Sequence, residues 1–135
     1  GLHTVVQGAR MSTTIHSDQA PAAIGPYSQA KAVGSLVFCS GQIALRADGS
    51  DLTDSDVSVQ TRIAMENLQA VLAAAGTSLE NAIKVTIYLI DMVDFQAVNS
   101  VYAEFFSDAP PARATVAVAG LPRGARVEID CIAAL

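Results

Sequence analysis

Charge is scarce in this 135-residue chain: 16% of its residues are Asp, Glu, Lys or Arg, while 51% are hydrophobic. An ordinary soluble domain carries about 25% charged residues. So few charges do not cover a monomer's whole surface, which implies that much of the exterior is buried against other subunits. Positive charge is the scarcer sign, with 8 Lys and Arg against 13 Asp and Glu and a net charge of −5. That balance argues against a nucleic-acid partner, whose phosphates are held by clustered Lys and Arg. Long apolar runs are missing too. The longest stretch without charge, Ala32 to Leu45, is too short for a membrane helix and is broken by Gly34 and Gly41. No membrane partner is expected. Cysteine is limited to Cys39 and Cys131, each inside an apolar stretch. They read as buried free thiols in a reducing compartment, the cytoplasm or an organellar matrix. His3 and His16 have no CxxC, HxxxH or HExxH spacing around them, so no metal site is expected.

The length suits one domain that buries roughly 65–70% of its unfolded surface without metal or disulfide support. Residues 1–10 precede Met11 and read as a leader, an expression scar or an extended start, with the single domain at 11–135. Two apolar runs, Gln29 to Val33 and Leu36 to Ile43, flank Gly34-Ser35, a hairpin signal. A short strand at Thr13 to His16 would precede them. Arg46 to Asp56, with Asp48-Gly49, is a loop. Thr53 or Ser55 then caps a helix from about Ser55 to Ala75, which Gly76 closes. Ile83, Val85, Ile87 and Leu89 alternate with Lys84, Thr86, Tyr88 and Ile90, as in a strand. Asp94 is placed to cap a second helix through Phe95, Val98, Val101, Tyr102, Phe105 and Phe106, which Pro110-Pro111 ends. Strands at Ala112 to Val118 and Arg126 to Ala133 complete the order β-β-α-β-α-β-β. An α+β domain follows, one mixed sheet with two helices on one face.

The period of two sends Arg113, Thr115 and Ala117 to one face of their strand, and Arg126, Glu128, Asp130 and Ile132 to one face of the last. Arg113, between Ala112 and Ala114, leaves room for a planar carboxylate to approach its guanidinium fork. Glu128 is the nearest candidate acid–base group. The competing reading is a structural ion pair, Arg113–Glu128 or Arg126–Glu128. Tyr27 follows a Pro-rich turn, either as packing or as a phenol at a loop edge. Gly41, after Ser40, marks either a β-bulge or a place where a ligand approaches the backbone. Asn99 beside the second helix's apolar stripe is either a solvated or capping residue or a ligand contact. Gly120 to Gly124 lacks the strand–GxGxxG–helix setting of a dinucleotide site, and no GxSxG or Walker sequence is present.

Several motifs in a fixed order resemble the RidA family (YjgF/YER057c/UK114), the reactive intermediate deaminases. They run from Ala22-Ala23-Ile24-Gly25-Pro26-Tyr27-Ser28-Gln29-Ala30 through Ser40-Gly41-Gln42-Ile43, Glu66-Asn67-Leu68 and Asp91-Met92-Val93-Asp94-Phe95. Asn99-Ser100-Val101-Tyr102, Pro111-Ala112-Arg113 and Leu121-Pro122-Arg123-Gly124-Ala125-Arg126-Val127-Glu128-Ile129 follow. The resemblance implies a chorismate-mutase-like subunit in a homotrimer, with a central barrel of sheets and three clefts between subunits.

It also implies hydrolysis of 2-aminoacrylate and 2-iminopropanoate, or of 2-iminobutanoate, to 2-keto acids and ammonia. Such intermediates leave pyridoxal-phosphate-dependent dehydratases, and the hydrolysis uses no cofactor. The implied catalytic set is Arg113 on the substrate carboxylate, Glu128 on the attacking water, and Tyr27 lining the pocket. Ser40, Gly41, Ala114, Thr115 and Asn99 would be substrate contacts, and 2-keto acids would be product ligands. Other readings of the same family are a carboxylate-sensing trimer without turnover and a stress-activated holdase chaperone. A ribonuclease role has the least support, because the chain lacks a basic groove and a histidine pair.

Overall fold

The computed structural model describes residues 11–135, so the expected leader at 1–10 lies outside the described residues. Six strands form one mixed sheet: β1 (Thr13–Ile15), β2 (Ala30–Val33), β3 (Leu36–Gln42), β4 (Ala82–Leu89), β5 (Ala112–Ala117) and β6 (Val127–Ala134). Their order is β1-β2-β3-β6-β4-β5. Only β4 and β5 run parallel, joined by the crossover that carries helix α2 (Phe95–Ala103). Helix α1 (Val57–Ala74) joins β3 to β4.

The core explains this arrangement. Val85, Ile87 and Leu89 of β4 and Val127, Ile129, Cys131 and Ala133 of β6 present one continuous apolar face. Ala64, Met65, Leu68, Val71 and Leu72 of α1 and Val98 and Tyr102 of α2 cover it. Burying a side chain of this size contributes roughly 1.5–3 kcal/mol. The other face is only partly covered: Phe38 is 42% and Val116 40% exposed.

The Gly34-Ser35 hairpin forms as expected, with Gly34 at φ +58°. Gly76 closes α1 at φ +87°, with the Thr77 amide donating back to the Leu72 carbonyl. Four expectations are corrected. The residue before α1 is Asp56, whose side chain makes no capping bond. Thr53 instead donates its hydroxyl to Asp51 Oδ1 at 2.6 Å, and the Gln60 amide ties the incoming loop through the carbonyls of Thr53 and Ser55. Asp94 likewise makes no cap bond, because Arg126 engages both its oxygens at 2.6 and 3.2 Å; Asp91 caps the preceding turn. Ile83 leaves the core face because the β4–β6 register slips between Ala82 and Lys84, and it is 48% exposed. Finally, α2 ends at Ala103, before Phe105 and Phe106.

Cys39 and Cys131 are free, buried and directly opposed across β3 and β6. The adjacent Cys39 and burial push the Cys131 thiol far above its usual range, so it stays protonated and is a poor nucleophile. No described helix is long and apolar enough to cross a membrane.

Candidate functional site

The expected site residues fall into two groups on this subunit. The first lines a cleft of about 580 Å³ whose polar side chains include Tyr27, Ser40, Arg123 and Glu128, with apolar walls from Ile24 and Ile43. A bulge builds its floor. Between the pairs Cys39↔Cys131 and Gln42↔Ile129, Ser40 and Gly41 together oppose Asp130. The Ser40 hydroxyl donates to the Ser28 carbonyl at 2.6 Å, pinning the bulge to the segment that carries Tyr27. Gly41 leaves room for the Glu128 carboxyl group, which lies over its backbone and which a larger residue would displace. A Cβ at that position would stand 2.8 Å from the Glu128 carboxyl carbon. The bulge reading of the Ser40-Gly41 pair holds; the group lying over the Gly41 backbone is the protein's own Glu128.

Burial raises the Glu128 pKa above its usual value, and the charge of Asp130 raises it further. Glu128 pairs with neither Arg113 nor Arg126: Arg113 bonds Asn99, and Arg126 bonds Asp94. The structural ion pair weighed from the sequence does not form. Tyr27 is 54% exposed at the loop edge, and its hydroxyl oxygen accepts from the Ile24 amide at 3.4 Å.

The second group surrounds Arg113. It donates from Nη1 to Asn99 Oδ1 at 2.6 Å, and its Cζ lies 5.0 Å from the Tyr102 ring centre and 5.7 Å from that of Phe95. Arg46, Arg62, Arg123 and Arg126 each have a carboxylate within 4.0 Å: Glu66, Glu104, Asp51 and Asp94. Among the described arginines, Arg113 alone has none. Its charge is held by neutral groups and stays available to an incoming anion. The Thr115 hydroxyl, two residues along the same strand face, is buried with no protein partner.

Sheet register separates the two groups. Arg113 sits beside Val85 on the helix-covered face, whereas Glu128 sits beside Tyr88 on the opposite face. Strand β4 also lies between them, and their partners Val85 and Tyr88 are three residues apart along it. The two backbones are thus separated by two strand spacings across the sheet and about 10 Å along it. Arg113 and Glu128 therefore do not meet within this subunit. Ala114 lies between Arg113 and Thr115 and takes the opposite face.

Three residues escaped the sequence reading. Arg123 lines the cleft from a left-handed backbone position, φ +59°, with its side chain 3.3 Å from Asp51 and its carbonyl accepting from Thr53. Nothing local in the sequence signals that contact. Phe95 and Tyr102 were readable as core only. Their spacing with Asn99, i, i+4 and i+7, puts all three on one helix face and could have pointed to Arg113's surroundings. No group of three His, Cys, Asp or Glu side chains that could hold a metal ion occurs among the described residues.

Comparison with known proteins adds the following. The family model described as endoribonuclease L-PSP matches residues 17–135. Protein DfrA of Myxococcus xanthus is 54% identical over 121 residues, covering 88% of this chain and 92% of that protein. The 2-iminobutanoate/2-iminopropanoate deaminase of Mus musculus is 45% identical over 119 residues, 88% of each chain. The crystal structure of TdcF from E. coli with bound serine has a TM-score of 0.87 at 40% identity, covering 91% of this chain and 98% of that one.

Proposed function

Because the chain belongs to the RidA (YjgF/YER057c/UK114) family, we propose that it is a 2-iminobutanoate/2-iminopropanoate deaminase, a C–N hydrolase. The observation that carries this reading is the Arg113 guanidinium, held by an amide and two rings and by no carboxylate. A 2-imino acid supplies the missing anion. Serine, bound by the related TdcF, also carries a carboxylate beside a nitrogen-bearing carbon.

In this mechanism Arg113 receives the substrate carboxylate on its fork and fixes the neighbouring imine carbon. With the imine nitrogen protonated, Glu128 takes a proton from water as the water oxygen bonds to that carbon, and the C=N π electrons move to nitrogen. The product of this step is a carbinolamine. Glu128 returns the proton to nitrogen, the C–N bond breaks to release ammonia, and the hydroxyl passes its proton to the now ionised Glu128 as the carbonyl forms. Tyr27 and Ser40 line the cleft around Glu128, whereas the Thr115 hydroxyl, expected as a ligand contact, is buried within the subunit. Asn99, expected as a ligand contact, acts through Arg113.

Because Arg113 and Glu128 occupy opposite faces of one sheet, the reading requires two copies of the chain. We place the site between neighbouring subunits of a homotrimer whose sheets form a central barrel. A cyclic assembly packs one face of each copy against a different face of the next, which brings unlike residues together. The partly exposed Phe38 and Val116, and the low charge content, support such packing. The two free buried thiols fit a cytoplasmic setting.

A carboxylate sensor would use the same arginine, and only turnover separates the two readings. The endoribonuclease description has less to support it on this chain. His16 is solvent-exposed beside Asp18, and the cleft's Arg123 is already paired. The test is the appearance of pyruvate from 2-iminopropanoate generated in situ. Acceleration by the protein supports the deaminase; equal rates with and without it reject that reading.

The raised Glu128 pKa has a pH consequence. Glu128 acts as a base only when ionised, so activity falls on the acid side through a limb shifted upward from that of a solvated glutamate. Asp130→Asn removes the neighbouring like charge and is expected to move this limb to lower pH in kcat/KM profiles. An unmoved limb would assign it to another group.

A further inference from the structure

We propose that Phe95 and Tyr102 are positioning residues that clamp the Arg113 guanidinium between two ring faces and hold its fork open for a carboxylate. The proposal rests on the carboxylate-anchor reading of Arg113 and explains how that anchor is kept both fixed and unneutralised.

An exposed arginine ordinarily settles against a carboxylate, as the four other described arginines do. Such a partner would have to be displaced before substrate could bind. Ring faces hold a cation differently. Their attraction comes from the π quadrupole, acts within about 6 Å of the ring centre, and uses none of the N–H donors in the guanidinium plane. Both rings here meet that distance, at 5.0 and 5.7 Å. Asn99 takes one of the five donors. No other hydrogen bond engages the guanidinium among the described residues, and no carboxylate neutralises its charge.

The clamp is itself anchored. Phe95, Asn99 and Tyr102 share one face of α2, so one rigid helix sets all three contacts. Tyr102 is 5% exposed and packs on Phe106, with ring centres 4.8 Å apart. Its hydroxyl is buried without a hydrogen-bond partner. A tyrosine kept for its hydroxyl would have one. Its ring is therefore the working part, and Tyr102→Phe preserves the clamp.

The test measures affinity for 2-oxobutanoate and for its uncharged amide, with steady-state rates on 2-iminopropanoate. The proteins are wild type, Phe95→Leu, Tyr102→Leu, Tyr102→Phe and Arg113→Ala. Phe95→Leu and Tyr102→Leu are expected to weaken 2-oxobutanoate binding by about fivefold each and to raise KM more than they lower kcat. Amide binding should change little, and Tyr102→Phe should recover the acid's affinity. A merely structural Tyr102 would lower thermal stability without altering the acid-to-amide preference. Phe95 is partly exposed, and its leucine variant keeps the test open if Tyr102→Leu does not fold. An unchanged acid-to-amide ratio in Phe95→Leu, or a Tyr102→Phe protein as impaired as Tyr102→Leu, would overturn the clamp. If Arg113→Ala loses affinity while the ring variants do not, the clamp alone fails. If Arg113→Ala binds the acid normally, the carboxylate-anchor reading fails with it.

Discussion

Arg113→Ala is expected to lower kcat/KM for 2-iminopropanoate by about 10²–10⁴, the equivalent of two charge-assisted hydrogen bonds at roughly 1.5–3 kcal/mol each. Stability should fall only modestly. The side chain lies on a solvent-exposed residue and forms no ion pair, so its removal costs the Asn99 hydrogen bond and the two ring contacts. The assembly should match wild type and the thermal midpoint should drop by a few degrees at most, which separates loss of the anchor from loss of the fold. Arg113→Lys keeps the charge but replaces the planar fork with a point donor. It is expected to recover only part of the activity. Full activity in Arg113→Ala, measured by pyruvate release with melting followed in parallel, would remove the anchor from the mechanism.

Glu128→Gln carries the second large effect and separates chemistry from binding. The amide retains the shape that lies over Gly41 but does not take a proton from water. A fall in kcat of about 10²–10⁴ is expected, with affinity for 2-oxobutanoate changed only a few-fold. Its stability effect has the opposite sign. Burial and Asp130 raise the Glu128 pKa, so the folded chain binds this proton more tightly than the unfolded chain does. Its contribution to stability is therefore greatest at low pH and is lost as pH rises through the folded pKa. At neutral pH the ionised group opposes folding, and Glu128→Gln is expected to melt at a higher temperature than wild type. A variant that loses stability and affinity together while turning over normally would contradict the water-activating role.

Much of this fold is legible because its signals are local. Alternation in β6 separates Val127, Ile129 and Cys131 from Glu128 and Asp130, and Gly76 ends α1 through a backbone angle that glycine adopts at little cost. What failed depended on distant partners. Asp94 looked like a cap, but Arg126, 32 residues away, takes its carboxylate. The slip that exposes Ile83 is a property of β4 paired with β6 and leaves no mark in β4 alone. The site divides in the same way. Arg113 and Glu128 are recognisable as residues, and Gly41 as an unusual one. Their placement on opposite faces follows from the registers of β5 and β6 against β4. Under the proposed mechanism a complete site then takes two copies, which a single chain does not display.

Mixed assemblies of two inactive variants distinguish a site shared between copies from one within a single chain. Arg113→Ala and Glu128→Gln chains, each inactive alone, would be co-expressed in equal amounts and assayed after mass measurement confirms mixed assemblies. If each site takes Arg113 from one copy and Glu128 from its neighbour, about a quarter of randomly mixed sites regain both groups. Activity should return to about a quarter of wild type. If both groups act within one chain, no mixed assembly contains an intact site, and a mixture as inactive as its parents would contradict the account.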